Sequence, residues 1–164
     1  MKSKLFFILS ILVILMYCSP DKHQEKETDR ERVPVVTGYN EELAQELSAD
    51  KYGMKTYVFA FLKAGPNRSQ DSTTAAQLQA AHLKNIQRMA DKGKLVLAGP
   101  FMDSGEIRGI YIFDVPTLEE ARQLTETDPA IQAGRLAMEL RPWYGSAALV
   151  KLNQIHESIA KEKF

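Results

Sequence analysis

The amino-acid sequence predicts an α+β domain in which four strands form an antiparallel sheet with helices on one face. Four segments carry the apolar, β-branched and aromatic residues that are typical of strands, and Gly- or Pro-containing breaks separate them. Two capped amphipathic segments lie among them, giving the order strand, helix, strand, strand, helix, strand. The 164 residues, 45% of them hydrophobic, suit one domain with its own core.

The first strand is predicted at 54–64, where aromatic and aliphatic residues form an uninterrupted apolar run. The helix that follows is predicted over 74–91, because Thr74 and Gln77 match a capping box and Gly93 follows the predicted end. The inner face of this helix is predicted from residues that recur at helical spacing: Leu78, His82, Ile86, Met89 and Ala90.

The remaining strands are predicted at 94–98, 107–115 and 136–143. Between the last two strands, Thr117 and Glu120 form a second capping box for a helix that ends near Glu126. Asp128, followed by Pro129, then opens a short helical turn that closes at Gly134. Short helices over 41–47 and 147–161 are expected to flank this unit.

This order of elements is that of a ferredoxin-like βαββαβ fold. Its helices cover one face of the sheet, so the opposite face needs another cover. A second copy of the sheet supplies one, and we therefore expect a homodimer that forms a dimeric α+β barrel.

Residues 1–18 read as a signal peptide. Lys2 and Lys4 precede the apolar stretch 5–16, which in a helix would extend about 18 Å, well short of the ~30 Å hydrocarbon core of a membrane. A secretory segment therefore fits this stretch better than a spanning helix does.

The end of this segment is similar to a bacterial lipobox. Leu15 and Cys18 match the lipobox pattern, whereas Met16 and Tyr17 stand where small residues are usual. We expect acyl chains on Cys18 to anchor the protein to the bacterial cell envelope; secretion with a chance cysteine is the alternative. Residues 19–40 then form a polar tether, and the domain occupies 41–164.

Composition excludes several classes of function. Lys plus Arg and Asp plus Glu both number 21, so the chain has no net basic charge to attract nucleic acid. It has no Cys/His pattern for zinc, no Gly-rich phosphate loop and no dinucleotide fingerprint. We therefore expect neither a metal nor a cofactor.

Two residues are the main candidates for chemistry. His82 lies on the inner face of the predicted helix, and Asp128 precedes the last strand. A carboxylate beside an imidazole fixes its tautomer and raises its basicity, so such a pair can move a proton to or from a bound small molecule. The alternatives are that His82 is a satisfied core residue and that Asp128 only caps a helix.

Four further residues are weaker candidates for contact with a ligand. Asn67 and Arg68 lie in the loop after the first strand and would meet an anionic substrate, unless they are simply solvated. Asp103 either lines the pocket that would hold this substrate or stabilises a turn. Arg135, just before the last predicted strand, is expected to close the site.

Several segments together resemble the YciI-like (YCII-related) family, over about 55–152. They are Ala80-Ala81-His82-Leu83, Gly93-Lys94-Leu95-Val96-Leu97-Ala98-Gly99-Pro100, Thr117-Leu118-Glu119-Glu120-Ala121, and Thr127-Asp128-Pro129-Ala130-Ile131-Gln132-Ala133-Gly134. The chain departs from the usual pattern by its exported N-terminus and by a longer loop at 65–73.

The resemblance implies a dimeric α+β barrel with a His–Asp pair in a pocket between helix and sheet. The family histidine falls on His82 and the family aspartate on Asp128. One type of relative eliminates chloride from a chlorinated hydroxyquinol by proton transfer, and related barrels include muconolactone isomerase-like enzymes and small monooxygenases.

Three functions remain in competition. The leading hypothesis is a cofactor-free lyase or isomerase of the cell envelope, with His82 as general acid or base and Asp128 orienting it. The second is a non-catalytic envelope module for ligand binding or assembly. The third, a cofactor-free monooxygenase, rests on analogy of the barrel alone.

Overall fold

The computed structural model describes residues 38–162, and the residues from Tyr39 onward belong to one unit. The elements in chain order are α1 (Glu41–Glu46), β1 (Met54–Ala64), α2 (Ser72–Asp91), β2 (Leu95–Pro100), β3 (Ile107–Phe113), α3 (Leu118–Glu126), α4 (Pro129–Gln132), β4 (Leu136–Ser146), a 3-10 helix (Ala147–Lys151) and α5 (Leu152–Ile159).

The four strands form one sheet in the order β2-β3-β1-β4, and each neighbouring pair is antiparallel. With one helical segment after β1 and another after β3, this is the βαββαβ connection of the ferredoxin-like fold. The predicted α+β fold class is therefore confirmed. The sheet places β1 and β3 at its centre, where each strand pairs with a neighbour along both of its edges.

The covered face of the sheet carries the main core. Val58, Ala60 and Leu62 alternate along β1 and face α2 and α3. They pack with Met89 of α2 and Ala121 of α3, both fully buried. Burial of these apolar side chains is what holds the two helices to the sheet.

The opposite face of the sheet, the open face, is built from the alternate residues of the same strands. Tyr57, Phe59 and Phe61 of β1 lie on it, with Phe59 and Phe61 only half-buried. Leu149 of the 3-10 helix packs against the buried cluster of Tyr57, Val96 and Ile112, so the chain covers part of this face itself. Trp143 of β4 remains 37% exposed.

The start of α2 differs from the predicted capping box at Thr74. The helix begins at Ser72, and the side chain of Asp71 accepts a hydrogen bond from the backbone amide of Thr74 at 2.9 Å. An ionised Asp at the N-cap accepts this bond well and also favours the positive end of the helix dipole. The predicted end is confirmed, since Gly93 adopts φ +67° just beyond the helix.

Strand β2 continues through Gly99 and Pro100, where the sequence predicted a stop. Pro100 pairs with Gly109 of β3. Because β2 lies at the edge of the sheet, a proline that lacks an N–H is tolerated there. A Cβ at Gly109 would lie 2.6 Å from the Gly99 carbonyl oxygen, so glycine allows the two strands to approach this closely.

The C-terminal segment was predicted as one helix over 147–161. It consists instead of the 3-10 helix followed by α5. The N-cap of the 3-10 helix is Ser146, whose side chain accepts from the amide of Ala148 at 3.3 Å. Along the stretch that the structure describes, no helix has the length and apolar character needed to cross a membrane.

Candidate active site

His82 lies on the buried side of α2, and its side chain faces the sheet. Its residue exposure is 7%, in a part of the helix where Asn85 and Met89 are also buried. The helical spacing that predicted an inward histidine is therefore confirmed. A buried imidazole needs hydrogen-bond partners, because an unpaired polar group would cost about 1–3 kcal/mol.

Asp128 supplies the first partner. Its Oδ2 atom lies 2.6 Å from His82 Nδ1, although 46 residues separate the two in the chain. Its Oδ1 atom accepts a hydrogen bond from the amide of Ala130 at 2.8 Å, which makes Asp128 the N-cap of α4 as well. Asp128 is fully buried. Its carboxylate therefore serves both as the helix cap and as the partner of the imidazole, with one oxygen engaged in each role.

The surroundings of Asp128 favour its ionised form. Burial by itself would raise the pKa of this carboxyl group, but the hydrogen bond and charge of His82 outweigh it, and the Ala130 amide and the Asn85 side chain add to them. The pKa of Asp128 is therefore held below its ordinary value. An ionised carboxylate can only accept, so His82 Nδ1 carries a proton and donates it to Asp128.

Tyr111 of β3 approaches the other ring nitrogen. Its hydroxyl oxygen lies 3.3 Å from His82 Nε2, and the residue is 1% exposed. Burial, with a further contribution from the charge of Asp128, raises the pKa of Tyr111. The phenol therefore stays protonated and is able to donate to Nε2. Tyr111 is not among the residues predicted for the site from the sequence; its place on the inward alternation of β3 was the available signal.

A polar network supports the pair from the far side of α2. The Arg88 guanidinium donates to Asn85 Oδ1 through Nη2 at 2.6 Å and to Thr127 Oγ1 at 2.7 Å. The Thr127 hydroxyl also lies 3.1 Å from Asn85 Oδ1. These bonds tie α2 to the residue that precedes Asp128, so the distance between His82 and Asp128 does not depend on their own contact alone.

A cavity of about 280 Å³ opens beside His82 and Tyr111. This volume is just below the usual range for small-molecule sites, about 300–1,000 Å³, so it suits a compact ligand of roughly one ring. Four lining residues are polar: Gln79, His82, Arg108 and Tyr111. The other lining residues are apolar. They come from β1, α2 and β4 (Leu62, Leu83, Ile86 and Leu136) and from β2 and β3 (Ala98, Gly99, Pro100 and Gly109).

A larger hollow of about 740 Å³ lies between α2, β2 and α5. Its lining includes neither His82, Asp128 nor Tyr111. The smaller cavity is the one that adjoins His82 and Tyr111, and we therefore take it as the candidate active site.

Three of the weaker candidates hold the loop after β1 to the segment before β4. Asn67 Nδ2 donates to the Ala133 carbonyl at 3.1 Å, and Arg68 Nη1 donates to the Arg135 carbonyl at 3.2 Å. The Arg135 guanidinium in turn donates to Gln70 Oε1 at 3.0 Å. None of these residues lines the cavity beside His82. Their predicted contact with a substrate stays a prediction.

The remaining predicted residues lie elsewhere. Asp103 is exposed in the loop between β2 and β3, where its carboxylate accepts from the Gly105 amide at 3.3 Å, as in a turn. Cys18 lies outside the described residues. Within residues 38–162, no three His, Cys, Asp or Glu side chains cluster closely enough to hold a metal ion.

Comparison with known proteins finds a family model and a curated sequence that match this chain. The family model of the YCII-related domain matches residues 56–144. YjpA, an uncharacterized protein of Bacillus subtilis strain 168, is 28% identical over 64 residues, which are 39% of this chain and 73% of YjpA.

Among solved structures, the chain is similar to 5-chloro-2-hydroxyhydroquinone dehydrochlorinase from Burkholderia phenoliruptrix AC1100, in complex with 2,5-dihydroxybenzoquinone. The identity is 21% and the TM-score 0.41, over 52% of this chain and 92% of that chain. The match to the family model spans more than half of the 164 residues. The chain therefore belongs to the YCII-related domain family.

Proposed function

We propose that this protein binds a small molecule in the cavity beside His82 and transfers a proton to or from it without a cofactor. The observation that carries the proposal is the position of the His82 ring. Nδ1 is engaged by a buried carboxylate at 2.6 Å, and the ring lines the cavity. The nitrogen left for chemistry is Nε2.

In the first step, Nε2 accepts a proton from an acidic C–H or O–H of the ligand. The ring becomes an imidazolium whose charge is stabilised by the Asp128 carboxylate, which is fully buried and already hydrogen-bonded to Nδ1. In this role Asp128 orients His82 and does not itself touch the ligand.

In the second step, the imidazolium gives up the proton. Return of the proton to a different atom of the ligand gives an isomerisation. Departure of a leaving group with its bonding electron pair, followed by release of the proton to solvent, gives an elimination. Tyr111, held neutral by burial, is placed to donate a hydrogen bond to an oxygen on which negative charge develops.

The test compares His82→Ala with His156→Ala, which removes the exposed histidine of α5. Small hydroxylated aromatics and lactones are incubated with each protein in D₂O, and deuterium uptake or conversion is followed by NMR. We expect the wild type and His156→Ala to act on a common compound and His82→Ala to lose at least a hundredfold in rate. Turnover by a folded His82→Ala variant at the wild-type rate would contradict the proposal.

A second candidate is binding without conversion, and one observation favours it. The Tyr111 hydroxyl lies 3.3 Å from Nε2, so the existing structure already offers both ring nitrogens a partner. In that case His82→Ala would chiefly lower the melting temperature, and the same compounds would bind without deuterium uptake or conversion.

The proposed location is the cell envelope, supported by the signal-like segment and by Cys18 at its end. The full chain and its Cys18→Ser variant are expressed in a bacterium and fractionated. We expect wild-type protein with the membranes and the variant in the soluble fraction. Equal membrane association of both would count against lipidation.

The proposed oligomer is a homodimer that buries the open face. Phe59 packs against Phe61 with ring centroids 4.9 Å apart and against Trp143 at 6.0 Å, which gives this face a partly exposed aromatic patch. Exposed aromatic patches of this kind are typical of protein interfaces.

A further inference from the structure

Arg108 enters the cavity because β3 contains a β-bulge. Leu62 of β1 pairs with Gly109, whereas the next residue, Lys63, pairs with Ile107. Arg108 is thus the extra residue between them. In regular alternation it would share the open face with Ile110, but the bulge turns it toward the side of Leu62 and Gly109, which line the cavity with it.

The guanidinium of Arg108 lacks an anionic partner among the residues that the structure describes. Of the ion pairs found within residues 38–162, none includes Arg108. Its Nε atom is buried and has no hydrogen-bond partner in the same part of the chain. A buried N–H of a charged group is costly to leave unpaired, and such groups concentrate where a ligand completes them.

Building on the proposed proton transfer, we propose that Arg108 binds the anionic group of the substrate. The Nε and adjacent Nη edge of a guanidinium donates two parallel hydrogen bonds, which match two oxygens of one carboxylate. The substrate class is therefore a small organic acid, its carboxylate on Arg108 and its reacting atom toward His82. No other lining residue carries a fixed positive charge.

Burial and shape agree with this assignment. Apart from Arg108 and three other polar residues, the lining consists of apolar side chains and of the close backbone contact at Gly99 and Gly109. Coulomb attraction is stronger in such a partly enclosed site than in water, so one cation suffices to select an acid over its neutral analogue. Arg68, in the loop after β1, donates to the Arg135 carbonyl instead and does not line the cavity.

The experiment measures binding by calorimetry, with acetate, benzoate and salicylate as probes and benzamide as the neutral analogue of benzoate. Arg108→Gln and Arg108→Lys are compared with Arg122→Gln, a matched control on the exposed side of α3. We expect at least one acid to bind the wild type and the control equally. Arg108→Gln should bind it about tenfold to a hundredfold more weakly, and Arg108→Lys should fall between.

Benzamide binding should be weak and unchanged in every variant, and melting curves establish that each variant is folded. Equal acid affinity in a folded Arg108→Gln would overturn the inference, as would preference of the wild type for benzamide or failure of all three acids to bind at millimolar concentrations. Because these probes report binding and not turnover, the inference stands if acids bind through Arg108 while His82→Ala leaves turnover intact. That second result would refute only the proposed proton transfer.

Discussion

The two faces of the sheet use the same strands for different purposes. On the covered face, Tyr111 lies against His82 and Asp128, and each of these buried polar groups has a partner in the chain. On the open face, Phe61 and Trp143 stay partly exposed. The covered face holds hydrogen-bonded polar groups beside a cavity, whereas the open face is an apolar surface that gains from a cover.

Charged residues show the same contrast. On the open face, Lys63 contacts Glu139 at 2.6 Å, and Arg141 binds the same carboxylate. The hydrogen bonds of Lys63 and then Arg141 hold the pKa of Glu139 below its ordinary value. Because this group is solvent-accessible, it contributes little to stability. The pair on the covered face, in contrast, is largely shielded from solvent, so removal of one partner leaves the other poorly compensated.

The largest expected effect follows from removing the carboxylate of that buried pair. Asp128→Ala deletes the partner of His82 and the cap of α4 together, and we expect a loss of about 3–5 kcal/mol in unfolding free energy. The matched control is Asp71→Ala, which removes the exposed cap of α2 and should cost clearly less. Urea denaturation measures both, and equal losses would show that burial adds nothing to the role of Asp128.

A charged substitution on the open face tests whether this face is the dimer interface. Trp143→Glu places a carboxylate in the aromatic patch and removes an aromatic side chain from the proposed interface. We therefore expect the dissociation constant of the dimer to rise at least tenfold. Leu118→Glu is the control, since Leu118 on α3 is also 37% exposed. Sedimentation analysis gives the mass of each variant. A monomeric wild type, or a Trp143→Glu variant that stays dimeric, would contradict the proposal that the open face is the dimer interface.

The smallest effect is a pH dependence of the covered face. The pKa of Asp128 is lowered on folding, so its stabilising contribution is present above the ordinary carboxyl pKa of about 3.9 and is lost as the pH falls through the lower folded value. The stability gap between wild type and Asp128→Asn should therefore narrow as the pH falls below the ordinary carboxyl pKa. Denaturation from pH 4 to pH 2 measures it, and a gap that widens over this range would contradict the assigned ionised state.

Local patterns predicted most of the fold. The predicted first strand has the bounds of β1, and the cap at Thr117 is confirmed by its hydrogen bond to the Glu120 amide at 3.1 Å. The start of α2 was wrong because Asp71, Ser72 and Thr73 all precede Thr74 and the pattern does not rank competing caps. The end of β2 was wrong because Pro100 stops a strand only in the interior of a sheet.

The candidate site could be predicted only in part. His82 and Asp128 lie at positions that helical spacing and a capping pattern single out, and the structure brings them into contact. In the sequence, Tyr111 is an ordinary inward-facing strand residue, and only the folded structure shows that its hydroxyl contacts His82. Arg108 reaches the cavity through a bulge, which depends on the register between two strands and leaves no mark in the sequence of either one.

The central claim is that Asp128 holds the proton on His82 Nδ1 and leaves Nε2 free for chemistry. Long-range nitrogen–proton NMR spectra of the histidine rings test this most directly, at a pH where the His82 ring is neutral, with Asp128→Ala as the reference. The account predicts a protonated Nδ1 and an unprotonated Nε2 in the wild type, and loss of that preference in the variant. A proton on Nε2 in the wild type would contradict the account, because His82 could then not accept a proton from a ligand in the cavity.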